Sequence, residues 1–276
     1  MMTVKMILLD LDGTLLNSKK EVSSANFDAL SKMAAQGTYI VPCTGRFFKA
    51  IPDQVRNLPF VRYCITINGA EVYDKETDTT LRQEALTTEQ SQSIFRYLDK
   101  IDGIYDCFHN GSACMSEQHY QNIDKYLTSP SANSLVKATR TTVPNLHKAV
   151  EEWGDGVQKI QIFLGNTSEQ TEIMSKMVAD FPDMSISTST DFNIEINNNQ
   201  SEKGLGLLWL AQHLNIDPAH TMAFGDHSND LGMLARAGTG VAMGNGIPAA
   251  KEVADYVTET NDQDGIAKAL AHFNLI

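Results

Sequence analysis

The chain has 276 residues, 42% of them hydrophobic and 20% charged, with 34 acidic against 22 basic side chains. This composition suits one large globular domain or a core domain with an insert, and it lacks the basic footprint that nucleic acid or anionic lipid requires. No stretch reaches the ~20 consecutive apolar residues of a membrane span, and MMTVKMILLDLDG turns acidic too early for a secretory signal, so a cytoplasmic protein is expected.

The first apolar run, VKMILLD (4–10), reads as a strand buried on both faces, as do TYIVPCT (38–44) and YCITIN (63–68). Between the first two, residues 22–37 carry apolar side chains at helical spacing, with Ser23 or Ser24 placed to cap the start and Gly37 to end it. Strand, helix, strand in that order is the unit of a parallel sheet. From about 84 to 188 the pattern changes to helices (88–100, 168–181) and strands (159–165, 184–189) separated by polar loops, with no paired acids at a strand end. That segment is expected to be an inserted α+β module. The alternation then resumes: helix 201–215, strand 221–226, helix 228–238, strand 239–244, helix 248–255, strand 256–260 and helix 265–273. The expected architecture is a Rossmann-like, doubly wound parallel sheet built from 1–83 and 189–276, interrupted by the α+β insert 84–188.

In open α/β sheets the functional crevice lies beyond the carboxyl ends of the strands. Asp10 falls there, and Asp12 follows two residues later, with Gly13 allowing a sharp turn. A lone Asp in such a place often only starts a turn; Asp-Leu-Asp-Gly-Thr directly after a buried strand asks for more. A calcium loop is excluded, because its sixth residue must be Gly and here is Leu15. A second acid cluster, GDHSND (225–230), puts Asp226 at a strand end and Asn229 and Asp230 in the next helical turn. The donors named in the two clusters, Asp10, Asp12, Asp226, Asn229 and Asp230, are all oxygen donors and suit a hard octahedral ion such as Mg²⁺.

CTGR (43–46) ends the second strand, where the Thr44 hydroxyl and the Gly45 turn make an anion seat. A cysteine-phosphatase loop would need Arg at the position of Lys49, so Cys43 is expected to be a small buried residue. Cys64, Cys107 and Cys114 are likewise expected as reduced, buried thiols, since the four form no CxxC pair. Lys203 stands at a helix start, where a cation opposes the helix dipole by ~0.3–1 kcal/mol unless an anion binds beside it.

DxDGT, TGR, SEKG and GDxxND, in this order, resemble the haloacid dehalogenase (HAD) superfamily of phosphatases. ITINGAEVYD (65–74), GVAMGNG (240–246) and TNDQDGIAKAL (260–270) are similar to segments of its Cof-like, sugar-phosphatase-type subgroup, and the middle resembles a type C2 cap by position and size. The resemblance implies a Mg²⁺-dependent phosphomonoesterase acting on small phosphorylated metabolites, sugar phosphates foremost. Asp10 would be the nucleophile and Asp12 the proton shuttle. Mg²⁺ would be held by Asp10, the Asp12 main-chain carbonyl and Asp226. Thr44, Gly45, Lys203 and Asn229 would hold the phosphate, and Asn229 and Asp230 would orient the metal and Lys203. The alternatives are a phosphomutase using the same aspartyl-phosphate and a non-catalytic phosphometabolite-binding protein. Cap residues His109, Arg140, Lys159 and Gln161 could face a substrate, though their spacing does not single them out. His227 is expected to be exposed and without a role, and Gly246 stands where the subgroup more often has Ala.

Overall fold

The strand Met6–Leu9 is fully buried along its length, and its side chains alternate between two apolar clusters. The computed structural model, which describes residues 3–276, places it within a five-stranded parallel sheet. The order is Tyr256–Val257, Thr239–Ala242, Thr221–Gly225, Met6–Leu9, Tyr39–Pro42. Ile7 and Leu9 face Ala29, Leu30 and Met33 of the helix Ser24–Ala35 and Ile266, Ala269 and Leu270 of the helix Gly265–His272. Met6 and Leu8 face Leu207, Leu210 and Ala211 of Lys203–His213 and Met233 and Leu234 of Leu231–Arg236. Helices on both faces are what a parallel sheet of continuous apolar strands requires. Ser23 caps Ser24–Ala35 by accepting from the Asn26 N–H, and Gly37 beyond its end has φ +89°.

Register brings three chain exits together. Leu9 stands opposite Phe224 on one side and Pro42 on the other, so Asp10, Asp226 and Thr44 all leave the same edge of the sheet.

One strand departs from the expected plan. Tyr63–Thr66 joins the parallel sheet only through a single bridge between Cys43 and Ile65, then pairs antiparallel with Glu71–Asp74 in a three-stranded sheet completed by Thr79–Gln83. The turn between the first two carries three successive left-handed residues, Ile67 (φ 51°), Asn68 (φ 57°) and Gly69 (φ 92°). A Cβ on Gly69 would lie 2.3 Å from the Glu202 carbonyl oxygen, so only glycine permits this approach.

The chain divides into two compact units, Met1–Arg82 with Glu202–Ile276, and Gln83–Ser201. The second unit therefore ends at Ser201 and not at 188. The cause is the strand Asn193–Asn198, which pairs antiparallel with both Val157–Leu164 and Met184–Ser187. Its six-stranded sheet runs Met184–Ser187, Asn193–Asn198, Val157–Leu164, Gly103–His109, Ser112–Ser116, Arg140–Val143. Helices Thr88–Leu98, Leu146–Trp153 and Gln170–Asp180 pack on one face, over Tyr105, Ile160, Ile162, Ile194 and Ile196. The other face carries charge. Arg140 pairs with Asp106 at 2.8 Å, Lys159 with Glu195 at 3.0 Å, and both cations lie over the Phe108 ring. Gln161 stands opposite Asp106 and Glu195 in the same row. His109 instead stacks on Trp153, with ring centroids 4.6 Å apart, so the four polar residues do not form one group.

Leu30 lies in the packed layer of the first unit with no exposed surface. Leu30→Ala is expected to cost about 2–5 kcal/mol and Leu30→Met under about 1.5 kcal/mol, read from urea denaturation midpoints.

Candidate active site

Lys203 sits at the start of its helix with no exposed surface, and its ammonium donates to Asp10 Oδ1 and to Asp230 Oδ1, each at 2.6 Å. Burial alone would push the Lys203 pKa down, but the two carboxylates more than reverse this and hold it well above the ordinary value. Asp230 is fully committed to holding its neighbours. Its second oxygen accepts from the backbone N–H of Asp226 and of His227, both at 2.9 Å. His227 is half-buried and not exposed as expected, and its backbone N–H closes this turn.

Asp226 accepts from the Thr14 hydroxyl at 2.8 Å. Gly13 has φ +88°, and a Cβ there would come within 2.4 Å of Asp226 Oδ2. The glycine in DGT is thus required twice, by its own backbone and by the carboxylate it touches. Gly246 is also tight, since a Cβ would lie 3.2 Å from the Asp226 Cα. The segments containing Asn245 and Asn261 brace the loop after Asp12: Asn245 donates to the Gly13 carbonyl, and Asn261 to the Leu16 carbonyl, each at 2.8 Å.

Carboxylate oxygens of Asp10, Asp226 and Asp230 lie within 4.8 Å of one another. Burial, with the crowded like charges beside them, raises the Asp10 pKa well above its ordinary value and pushes Asp226 up to about 6. Three close acids against one ammonium leave an excess of negative charge, and all the donors are hard oxygens. This set fits a divalent cation. With both oxygens of Asp230 already engaged, Asp10 and Asp226 are the side chains suited to touch the ion.

The Asp12 carboxylate belongs to a different group. Arg46 holds it with two parallel bonds, Nε to Oδ2 at 2.8 Å and Nη2 to Oδ1 at 2.9 Å, and Lys20 adds a third at 2.8 Å. Burial works the other way, yet these two cations lower the Asp12 pKa to about 2. Its side chain therefore stands apart from the acid cluster, and only its main-chain carbonyl remains as the expected metal donor.

Thr44 is buried at the end of its strand, with Gly45 half-buried next to it. The Thr44 hydroxyl accepts from the Arg46 N–H at 3.2 Å, and the Thr44 carbonyl accepts from the Asn68 N–H at 3.0 Å. Asn229 donates to Asn68 Oδ1 at 3.2 Å, so Asn68 links the Thr44 turn to the second acid cluster. Cys43 is a buried thiol whose pKa burial pushes far up, which suits packing and not nucleophilic attack. Cys64, Cys107 and Cys114 are also free and buried. Arg46, Lys20, Thr14 and Asn68 were not identifiable as site residues in the sequence. Arg46 offered one signal, a planar donor fork two residues after Thr44, the expected anion seat.

The chain matches the haloacid dehalogenase-like hydrolase family over residues 7–270. It is a haloacid dehalogenase-like hydrolase. The hydrolase is 31% identical to phosphatase YwpJ of Bacillus subtilis, over 98% of its own length and 99% of that protein. It is 30% identical to the 5-amino-6-(5-phospho-D-ribitylamino)uracil phosphatase YcsE of the same organism, covering 99% of this chain and 96% of the relative. Its fold matches the HAD subclass IIB sugar phosphatase BT4131 with a TM-score of 0.82 at 26% identity, over 99% of this chain and 100% of the other. This HAD hydrolase is a phosphatase. Among the described residues no helix is long and apolar enough to cross a membrane.

The Asp226 pKa near 6, against 3.8 for an ordinary Asp, sets a pH window. Between these values the unfolded chain has released the proton and the folded protein retains it, so this group costs the metal-free fold stability as pH rises through the window. A divalent cation that replaces the proton is therefore expected to raise the melting temperature more at pH 7.5 than at pH 5. Asp226→Asn should remove most of that difference. Scanning calorimetry in chelator and in Mg²⁺ measures both.

Proposed function

We propose that this HAD phosphatase hydrolyses phosphate monoesters of small metabolites, sugar phosphates foremost, through an aspartyl-phosphate on Asp10. The observation that carries the reading is the placement of Lys203, 2.6 Å from both Asp10 and Asp230 at the exit edge of the sheet. By engaging Asp10 Oδ1, Lys203 fixes the rotation of the carboxylate and leaves Oδ2 as the attacking oxygen. As the Oδ2–P bond forms and the ester P–O bond breaks, the Asp12 carboxylate, ionised beside Arg46 and Lys20, relays the proton that the substrate monoanion carries in to the departing oxygen. Asp12 then takes a proton from the water that attacks phosphorus, the Asp10–P bond breaks, and inorganic phosphate leaves.

Lys203, Thr44, Gly45 and Asn229 bind the phosphoryl oxygens, where preorganised donors stabilise charge as it spreads in the transition state. Asp230 acts through Lys203 and through the backbone of Asp226, holding both in place. Mg²⁺ at Asp10, Asp226 and the Asp12 carbonyl would supply positive charge that offsets the repulsion between carboxylate and phosphate. The substrate class is supported by the relatives named as a phosphoribitylaminouracil phosphatase and as a sugar phosphatase.

Phosphate release from a panel of sugar phosphates and other small esters, in Mg²⁺ and in chelator, tests the proposal. Turnover should require Mg²⁺ and should fall about 10³-fold or more in Asp10→Asn. Full activity in chelator or in Asp10→Asn would overturn the mechanism. Isomerised sugar phosphate with little free phosphate would establish a mutase instead.

A further inference from the structure

We propose that Arg46 is the positioning residue of Asp12: its guanidinium fork sets the orientation in which Asp12 meets the leaving group. The proposal rests on the reading of Asp12 as the proton-transfer residue. Two parallel N–H···O bonds at 2.8 and 2.9 Å fix rotation about the Asp12 side chain in a way that one bond does not. Lys20 contributes charge at 2.8 Å, but from a side chain 52% exposed against 15% for Arg46, and an ammonium on a flexible stem does not fix a plane.

Arg46 is itself held at three further points. Nη1 donates to the Ala50 carbonyl at 3.0 Å, its N–H donates to the Thr44 hydroxyl at 3.2 Å, and its carbonyl accepts from the Ile67 N–H at 3.0 Å. Ile67 has φ 51°, a left-handed conformation that a β-branched side chain resists. The fold tolerates that strain beside the turn from which Arg46 and Thr44 project. One rigid turn thus presents the phosphate ligand Thr44 and, two residues later, the fork that aims Asp12. Seating the phosphate on Thr44 would then place the ester oxygen and the Asp12 carboxyl in a fixed relation as the proton moves to that oxygen and the P–O bond breaks.

A residue that acts through Asp12 should matter only where the leaving group needs a proton. An alkyl phosphate needs one; p-nitrophenyl phosphate, whose leaving group departs as a stable anion, does not. The readout is kcat/KM, which reports phosphoryl transfer to Asp10 and excludes the later hydrolysis. Arg46→Met is expected to lower kcat/KM for an alkyl phosphate about 10- to 100-fold and for p-nitrophenyl phosphate less than about 3-fold. Arg46→Lys, which keeps charge and loses the fork, should shift the alkyl-to-aryl ratio in the same direction, and Lys20→Met should shift it less than about 3-fold. In an Asp12→Asn background, Arg46→Met should cause no further loss.

Equal losses on the two esters, an additive loss in Asp12→Asn, or an unchanged ratio in Arg46→Lys would each overturn the proposal. If Asp12→Asn itself leaves the ratio at the wild-type value, the proton-transfer reading of Asp12 fails and the positioning role with it. If the wild-type enzyme releases phosphate from neither ester, the phosphomonoesterase reading is what fails.

Discussion

The buried ammonium of Lys203 is the constraint on which the rest of the first unit depends. An unpaired cation with no exposed surface would cost several kcal/mol, so the fold must deliver its partners. Those partners are Asp10 and Asp230, and each comes from a different part of the chain. The end of Met6–Leu9, the start of Lys203–His213 and the turn after Thr221–Gly225 must all reach one point. The parallel register brings them there, because strand ends at the same edge are neighbours whatever their separation in sequence. The ion cluster is thus a structural fastening and, in the proposed mechanism, the reaction centre. Three acids against one ammonium leave it short of positive charge, which a divalent cation would supply.

Two carboxylates separated by one residue have opposite environments. Asp10 lies among acids, and burial with its neighbours' charge drives its pKa up; Asp12 lies against Arg46 and Lys20 and is held at about 2. A cation bound at Asp10 and Asp226 would return Asp10 to its ionised, nucleophilic form, while Arg46 and Lys20 keep Asp12 ready to accept and pass on a proton. Gly13 makes the separation possible, since its positive φ and missing Cβ turn the chain sharply against Asp226.

The second unit illustrates why part of the architecture was hard to read. Its strands Gly103–His109 and Ser112–Ser116 are joined at Asn110-Gly111, both at positive φ, which is a strong hairpin signal. The charged residues along these strands masked the alternation. Asp106, Lys159 and Glu195 are charged residues in buried strands, and the Arg140–Asp106 and Lys159–Glu195 ion pairs make that placement tolerable. Asn193–Asn198 reads as polar for the same reason, and so looked like the start of the core and not the end of the insert.

The sequence by itself determined the parallel α/β core, the two acid clusters, the Thr44 turn and Lys203, because buried strands, helix starts and strand-end acids are local patterns. Helix limits shifted by a few residues, as with Ser24–Ala35 within 22–37. Only the tertiary structure decided that Asp230 turns both oxygens inward, that Arg46 grips Asp12, and that Asn68 joins the Thr44 turn to Asn229. These are pairings across 4, 34 and 161 residues. A local pattern specifies that a charge must find a partner; which partner it finds is set by how the strands register and where the turns between them point.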